Sequence, residues 1–156
     1  MSITKQISTD LVASIGNSHL MQLTSDVMDT LISNTSESEV LKSVPVLGTC
    51  VALYKETKSI QHYLFTKKIY TFLTQLHDLN ANEVYDMVYE IDNGTHKVQE
   101  RLGEVLIGLI DRSDNIIITA YIAQLFRCYI LKYISLDDFL EGARILNNIS
   151  TKSLHS

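Results

Sequence analysis

The residues able to bind a metal or act as nucleophiles are few, and their spacing matches no common catalytic pattern. No two histidines lie four residues apart, as a helical zinc-hydrolase site requires, and the two cysteines form no CxxC pair. The sequence contains neither a Gly-x-Ser-x-Gly nucleophile motif nor a Gly-rich phosphate loop, and Cys128 has no histidine neighbour in sequence. We therefore predict no catalytic, cofactor-binding or metal-binding residue. An active site assembled from distant residues stays open, because triads are defined by geometry.

Composition indicates a folded protein of one domain. The chain has 156 residues, of which 46% are hydrophobic, and its net charge is −5. Such a chain can bury a sizeable core, whereas nucleic acid binding needs clustered cations that it lacks. We predict a single domain over residues 1–156, with 36–149 as its core and 150–156 as a frayed tail. The two cysteines, Cys50 and Cys128, are far apart and lie inside apolar stretches, which together with the absence of a secretory signal favours the cytoplasm.

Helical periodicity extends along most of the chain, and strand patterns are missing. The apolar spacing predicts a first helix from Leu11 to Leu31, weakened by the Gly-Asn-Ser run at 16–18. Pro45 fits the first turn of a second helix, which we expect to bend near residues 55–59 and to continue to Leu79. The fold class expected is all-α, a single compact bundle of six or seven helices.

Later helices are predicted from their caps. Asn80 and Glu83 have capping-box spacing, as do Ser135 and Asp138, and Asp114 is a plausible cap for the helix that follows it. Residues 116–134 are apolar on almost every side, which predicts the hydrophobic central helix of the bundle. Arg127 interrupts this helix, so its guanidinium must either reach water or meet a carboxylate, for which Asp111 and Asp114 are the candidates. A structural ion pair is favoured over a functional arginine.

Two uncharged stretches, 43–54 and 115–126, raise the question of membrane contact. Crossing a bilayer needs about 20 apolar residues, so buried core is the favoured interpretation of both. The small-xxx-small pair of Gly48 and Ala52 fits tight packing in a soluble bundle as well as packing in lipid.

The helix expected after Asn80 carries acids and tyrosines together. Carboxylates can steer a basic partner, and tyrosine supplies contact area at low entropic cost. An ordinary solvated face is the simpler interpretation. We take this acidic patch as the candidate partner-binding surface; its residues are Glu83, Tyr85, Asp86, Tyr89, Glu90 and Asp92.

Several segments together resemble a group of small uncharacterised helical proteins of bacteria and mobile elements. They are VPVLGTCVALYK (44–55), YLFTKK (63–68), LIDR (109–112) and LFRCY (125–129), within a similarity from Leu41 to Ile149. These are mostly structural residues, so the resemblance implies a shared fold and transfers no catalytic residue. The setting of such proteins, in conflict between bacteria or between phage and host, implies immunity or defence roles.

Three functions follow as hypotheses. The leading one is a cytoplasmic module of immunity or antitoxin type that binds and neutralises a toxic protein such as a basic nuclease, without cofactor or direct nucleic acid contact. The first alternative is a membrane-acting phage-defence effector whose apolar helix at 45–54 is sheltered until triggered. The second is an enzyme, which would need a polar cleft holding perturbed ionisable groups.

Overall fold

The computed structural model describes residues 3–33, 39–80, 82–84, 86–87 and 96–155, which form helices and no strand. This confirms the all-α prediction. Besides a 3-10 helix at Ser18–Gln22, the helices with defined bounds are α1 (Ile3–Ser14), α2 (Ser25–Ser33), α3 (Glu39–Ser43), α4 (Pro45–Thr57), α5 (Ile60–Thr74), α6 (His96–Arg112), α7 (Ile116–Ile130) and α8 (Leu136–His155).

The described residues thus hold more helices than the six or seven predicted. The expected first helix is divided because Gly16 takes a left-handed φ of +74°, so α1, the 3-10 helix and α2 follow in turn. The expected second helix is divided at Lys58, which has φ 55° and is the C-cap of α4; Ser59 is then the N-cap of α5. α8 reaches His155, so the tail predicted as frayed from residue 150 is helical up to that residue.

Pro45 begins α4, as its spacing predicts. The N-cap residue Val44 offers no side-chain hydrogen bond, and the role is filled from another helix. The Ser14 hydroxyl of α1 accepts a hydrogen bond from the Val46 amide at 3.1 Å, and Asn17 donates to the Ser43 carbonyl at 2.7 Å. The start of α4 is therefore fixed by the end of α1.

One apolar core joins the helices. α5 contacts α4, α6, α7 and the 3-10 helix, while α1 lies between α4 and α6, and α8 packs on α7. Phe126 is fully buried, with ring centroids 5.1 Å from Phe139 and 5.8 Å from Phe72. The largest fully buried side chains include Phe72, Phe126, Phe139, Leu11, Leu20, Met28, Leu47, Ile69, Leu73, Leu76, Leu106 and Ile110.

Within the described part of the chain, other helices cover one face of α7, in contrast to the central position predicted for it. Its buried side chains, Ile122 and Phe126 among them, lie on one face. Ile117 and Tyr121 on the opposite side are 63% and 56% exposed. The prediction failed because uniform hydrophobicity does not reveal how many neighbours a helix has.

Candidate functional site

The predicted acidic patch falls partly within the described residues. Glu83 and Asp86 belong to a helical stretch, residues 82–84 and 86–87, whereas Tyr85, Tyr89, Glu90 and Asp92 lie outside the described part of the chain. Asp86 is exposed and Glu83 is partly exposed. The structure therefore gives a position to two of the six predicted contact residues.

Glu83 has a structural task as well. Its carboxylate accepts a hydrogen bond from the Asn80 amide at 3.2 Å, and the Glu83 amide donates to the Asn80 side-chain oxygen at 2.8 Å. This is the capping box that the spacing predicts, and it orients the start of the helical stretch. Asp86 lies one turn farther on.

Met87, next to Asp86, forms part of an open cavity of about 440 Å³. The other described residues that line the cavity come from the end of α7, the turn after it and the first turn of α8. We refer to this space as the α7–α8 cavity; its lining residues are Met87, Tyr129, Ile130, Lys132, Tyr133, Ile134, Ser135 and Asp138.

The walls of the α7–α8 cavity combine apolar and polar groups. Met87 and Ile130 are buried and Tyr133 is 78% exposed, so the apolar residues lie deep and a tyrosine stands at the surface. Ser135 and Asp138 form the predicted capping box of α8, in which the Asp138 amide donates to the Ser135 hydroxyl at 3.1 Å. A cavity of this kind can receive an apolar or aromatic side chain of a partner.

The turn between α7 and α8 contains a residue with an uncommon backbone conformation. Lys132 has φ 68°, a left-handed conformation that side chains other than glycine seldom adopt. The amides of Lys132 and Tyr133 donate to the carbonyls of Tyr129 and Cys128, at 3.0 and 2.9 Å. These hydrogen bonds end α7 and direct the chain from Tyr133 into α8.

Sequence reasoning missed the cavity residues Tyr129 and Tyr133. The sequence contains one indication of these residues, because Tyr129 and Tyr133 are four positions apart, as Tyr85 and Tyr89 are in the predicted patch. Tyr133, however, follows the end of α7, so helical spacing alone does not place it. The structure brings the turn carrying it to the same cavity as Met87.

Arg127 pairs with a different acid from the two predicted. Its guanidinium lies 2.6 Å from the carboxylate of Asp78, and both side chains are partly exposed. Asp111 and Asp114 precede α7, whereas Arg127 lies near its far end, about 17 Å or more along the axis. The predicted cap is corrected too, since Asn115 rather than Asp114 accepts the Ile118 amide, at 3.0 Å.

Two ionisable groups of the core have altered pKa values. Burial, aided by the charge of Asp10, raises the pKa of Cys50 from 9.0 to about 12, so this thiol stays protonated at neutral pH. Burial also raises the pKa of Tyr70, whose hydroxyl donates to the Leu23 carbonyl at 2.5 Å. Both groups contribute to packing, and neither lines the α7–α8 cavity.

Among the described residues, no three His, Cys, Asp or Glu side chains are grouped so that they could hold a metal ion. None of the described helices has the length and apolar character needed to cross a membrane. Gly48 packs against the carbonyl of Leu41, at 3.2 Å from the position of a Cβ atom, so its small size serves the contact between α3 and α4.

No protein-family model matches this chain, and comparison with curated proteins and with solved structures finds no significant relative. The resemblance to small helical proteins of bacteria and mobile elements therefore stays a prediction from the residues that carry it.

Proposed function

We propose that this chain is a protein-binding module of immunity or antitoxin type, acting in the cytoplasm on a basic toxic protein. Its contact surface would combine the acidic patch with the α7–α8 cavity. The observation that carries the proposal is the position of Met87, which lines the cavity while its neighbour Asp86 is exposed. Asp86, an exposed acid of the predicted patch, is thereby next to a residue that lines the open cavity.

The two features have separate tasks in binding. Carboxylates such as Asp86 attract a basic partner over a distance and raise the rate of encounter. The cavity supplies affinity, because an inserted apolar or aromatic side chain is removed from water among Met87, Ile130 and the tyrosines. Tyr133 suits the rim, since it offers an apolar ring and a polar hydroxyl.

The net charge of the chain also favours a basic protein as the partner. The chain carries 18 acidic and 13 basic residues, so it attracts basic proteins more readily than nucleic acid or an anionic membrane surface. Lys132 is a cation among the cavity residues, and we therefore assign attraction of the partner to the side of the cavity that holds Asp86.

The test begins with the product of the neighbouring reading frame, because an immunity protein is usually encoded beside its toxin. Co-expression of that product with this chain should relieve its toxicity, and the two should co-purify as a complex. Tyr133→Asp should weaken the complex about tenfold or more, since it places a charge at the cavity rim. If a chain carrying both Tyr133→Asp and Asp86→Lys still bound the toxic product with wild-type affinity and relieved its toxicity, the proposal would be contradicted.

Glu56→Lys is the matched control for Asp86→Lys. Both substitutions change the net charge by the same amount, and both residues are exposed. Glu56 lies in the last turn of α4, beside the start of α5, whereas Asp86 follows the other end of α5. The 15 residues of α5 place these two ends about 22 Å apart. Glu56→Lys should leave the complex intact.

A further inference from the structure

The turn that follows α5 is bonded to α7 by two side-chain pairs. Residues 75–78 form this turn. Gln124 donates a hydrogen bond to Gln75 at 2.5 Å, and the guanidinium of Arg127 donates to the carboxylate of Asp78 at 2.6 Å. Since both donors lie on α7, the turn is fixed against the last two turns of that helix.

This turn leads into the wall of the α7–α8 cavity that contains Met87. Asn80, which follows Asp78 closely in the chain, forms the capping box with Glu83. The capping box orients the helical stretch that carries Asp86 and Met87. The position of Asp78 therefore affects where Met87 lies in the cavity wall.

Arg127 belongs to the opposite wall of the same cavity. Tyr129 and Ile130, which line the cavity, follow it within one turn of α7. The Arg127 carbonyl accepts a hydrogen bond from the amide of Leu131, the C-cap of α7, at 2.9 Å. The backbone of Arg127 is thus part of the end of α7, while its side chain binds the turn that leads to Met87.

We propose that Arg127 is a positioning residue for partner binding, because its ion pair with Asp78 keeps the wall that contains Met87 against the end of α7. This role rests on the proposed function, in which the cavity receives an apolar or aromatic side chain of a basic protein. An inserted side chain contacts both walls, so its retention depends on the distance between them. Asp86 acts earlier, since its charge raises the rate of encounter. Loss of the Arg127–Asp78 pair should therefore speed dissociation and leave association nearly unchanged.

The ion pair between Lys67 and Asp29 is a matched control. Its length is also 2.6 Å, and the side chain of Asp29 is 49% exposed, against 48% for Asp78. This pair joins α5 to α2, and neither residue is among the described residues that line the cavity. Asp29→Ala and Asp78→Ala change the net charge equally. Both variants should unfold within about 3 °C of each other, because ion pairs so exposed to water contribute little to stability.

Hydrogen exchange of the full chain without a partner, measured by NMR, tests the positioning itself. The amides of Glu83 and Val84 report on the segment after the turn, because both donate hydrogen bonds to Asn80. Their exchange should be at least about threefold faster in Asp78→Ala than in the wild-type chain, and unchanged in Asp29→Ala. Wild-type exchange rates in Asp78→Ala would overturn the inference, as would an equal increase in Asp29→Ala.

Surface plasmon resonance with the neighbouring gene product tests the effect on binding. Asp78→Ala should raise the dissociation rate at least about fivefold, while its association rate stays within about twofold of that of Asp29→Ala. The double variant Arg127→Lys with Asp78→Glu shortens one side chain and lengthens the other, so both charges and their combined reach are kept. It should restore slow dissociation. Equal dissociation rates in Asp78→Ala and Asp29→Ala would overturn the inference, and so would fast dissociation of the double variant.

The two measurements distinguish failure of the positioning role from failure of the proposed function. If the wild-type complex formed, and Asp78→Ala changed neither exchange nor dissociation, the proposed function would stand and the positioning role would be overturned. If the wild-type chain bound no neighbouring gene product while exchange was faster in Asp78→Ala, the proposed function would be wrong. Arg127 would then orient a part of the fold without a role in binding.

Discussion

The hydroxyl of Ser14, the last residue of α1, accepts a hydrogen bond from the Val46 amide at the start of α4, across 32 residues of sequence. It also donates to the Asp10 carbonyl at 2.7 Å. Ser14 is completely buried, so no water can replace it. A serine outside α4 thus does the work that an N-cap side chain normally does.

Ser14→Ala should lower the free energy of unfolding by about 1–2 kcal/mol, because the buried Val46 amide loses its acceptor. Urea denaturation monitored by circular dichroism measures the change. Ser33→Ala is the control, since Ser33 is exposed and its hydroxyl only donates to the Asp29 carbonyl within α2. Its effect should stay within about 0.5 kcal/mol, and equal effects of the two variants would contradict the capping role.

Gly103 sets the distance between α1 and α6. A Cβ atom at this position would overlap the carbonyl oxygen of Ser8 and lie 2.9 Å from its carbonyl carbon. Gly103→Ala should therefore push the helices apart and destabilise the chain by about 1–3 kcal/mol. Thermal unfolding provides the measurement.

Gly108→Ala is the matched control for Gly103→Ala, because both glycines lie in α6. A Cβ at 108 would meet nothing closer than the end of the Arg112 side chain, at 3.4 Å. Alanine has the higher helix propensity, so this variant should gain about 0.5–1 kcal/mol. The opposite signs at the two glycines distinguish close packing from propensity; a gain at both would show that α1 and α6 are not in tight contact.

Because of Cys50, the free energy of unfolding should fall as the pH rises into the alkaline range. Its folded pKa of about 12 exceeds the ordinary 9.0, so the unfolded chain releases the thiol proton first as pH rises. The stabilising contribution is complete below about pH 9 and is lost between about pH 9 and 12. The urea midpoint should thus fall more between about pH 8 and 10.5 in the wild-type chain than in Cys50→Ala.

Cys128→Ala serves as the control for Cys50, because it removes the partly exposed thiol and leaves the buried one. It should keep the wild-type pH dependence. If Cys50→Ala and the wild-type chain lose stability in parallel, then the alkaline loss comes from other groups and the pKa assigned to Cys50 is wrong.

Local signals predicted three of the helix starts. The start of α4 depends on Pro45 itself, and the capping boxes at Asn80 and Ser135 depend on residues three positions apart, so the sequence displays these signals directly. The break at Lys58 was expected as a bend. Such features need no knowledge of the tertiary structure.

Long-range relationships were harder to predict. The partner of Arg127 is Asp78, which lies 49 residues earlier in the chain, so no local spacing reveals the pair. The exposed side of α7 was not predicted either, because the hydrophobicity of a helix does not show how many of its faces other helices cover. The α7–α8 cavity likewise needs Met87 and Tyr133 to meet from separate parts of the chain.

In the proposed function, the exposed carboxylate of Asp86, beside the α7–α8 cavity, attracts a basic protein. Surface plasmon resonance of the neighbouring gene product on this chain, at low ionic strength and at about 150 mM salt, measures the association rate directly. Asp86→Lys should slow association about threefold or more at low salt and reduce its salt dependence, whereas Glu56→Lys should leave the rate near that of the wild-type chain. Unchanged kinetics in Asp86→Lys, or equal slowing by both variants, would contradict the claim.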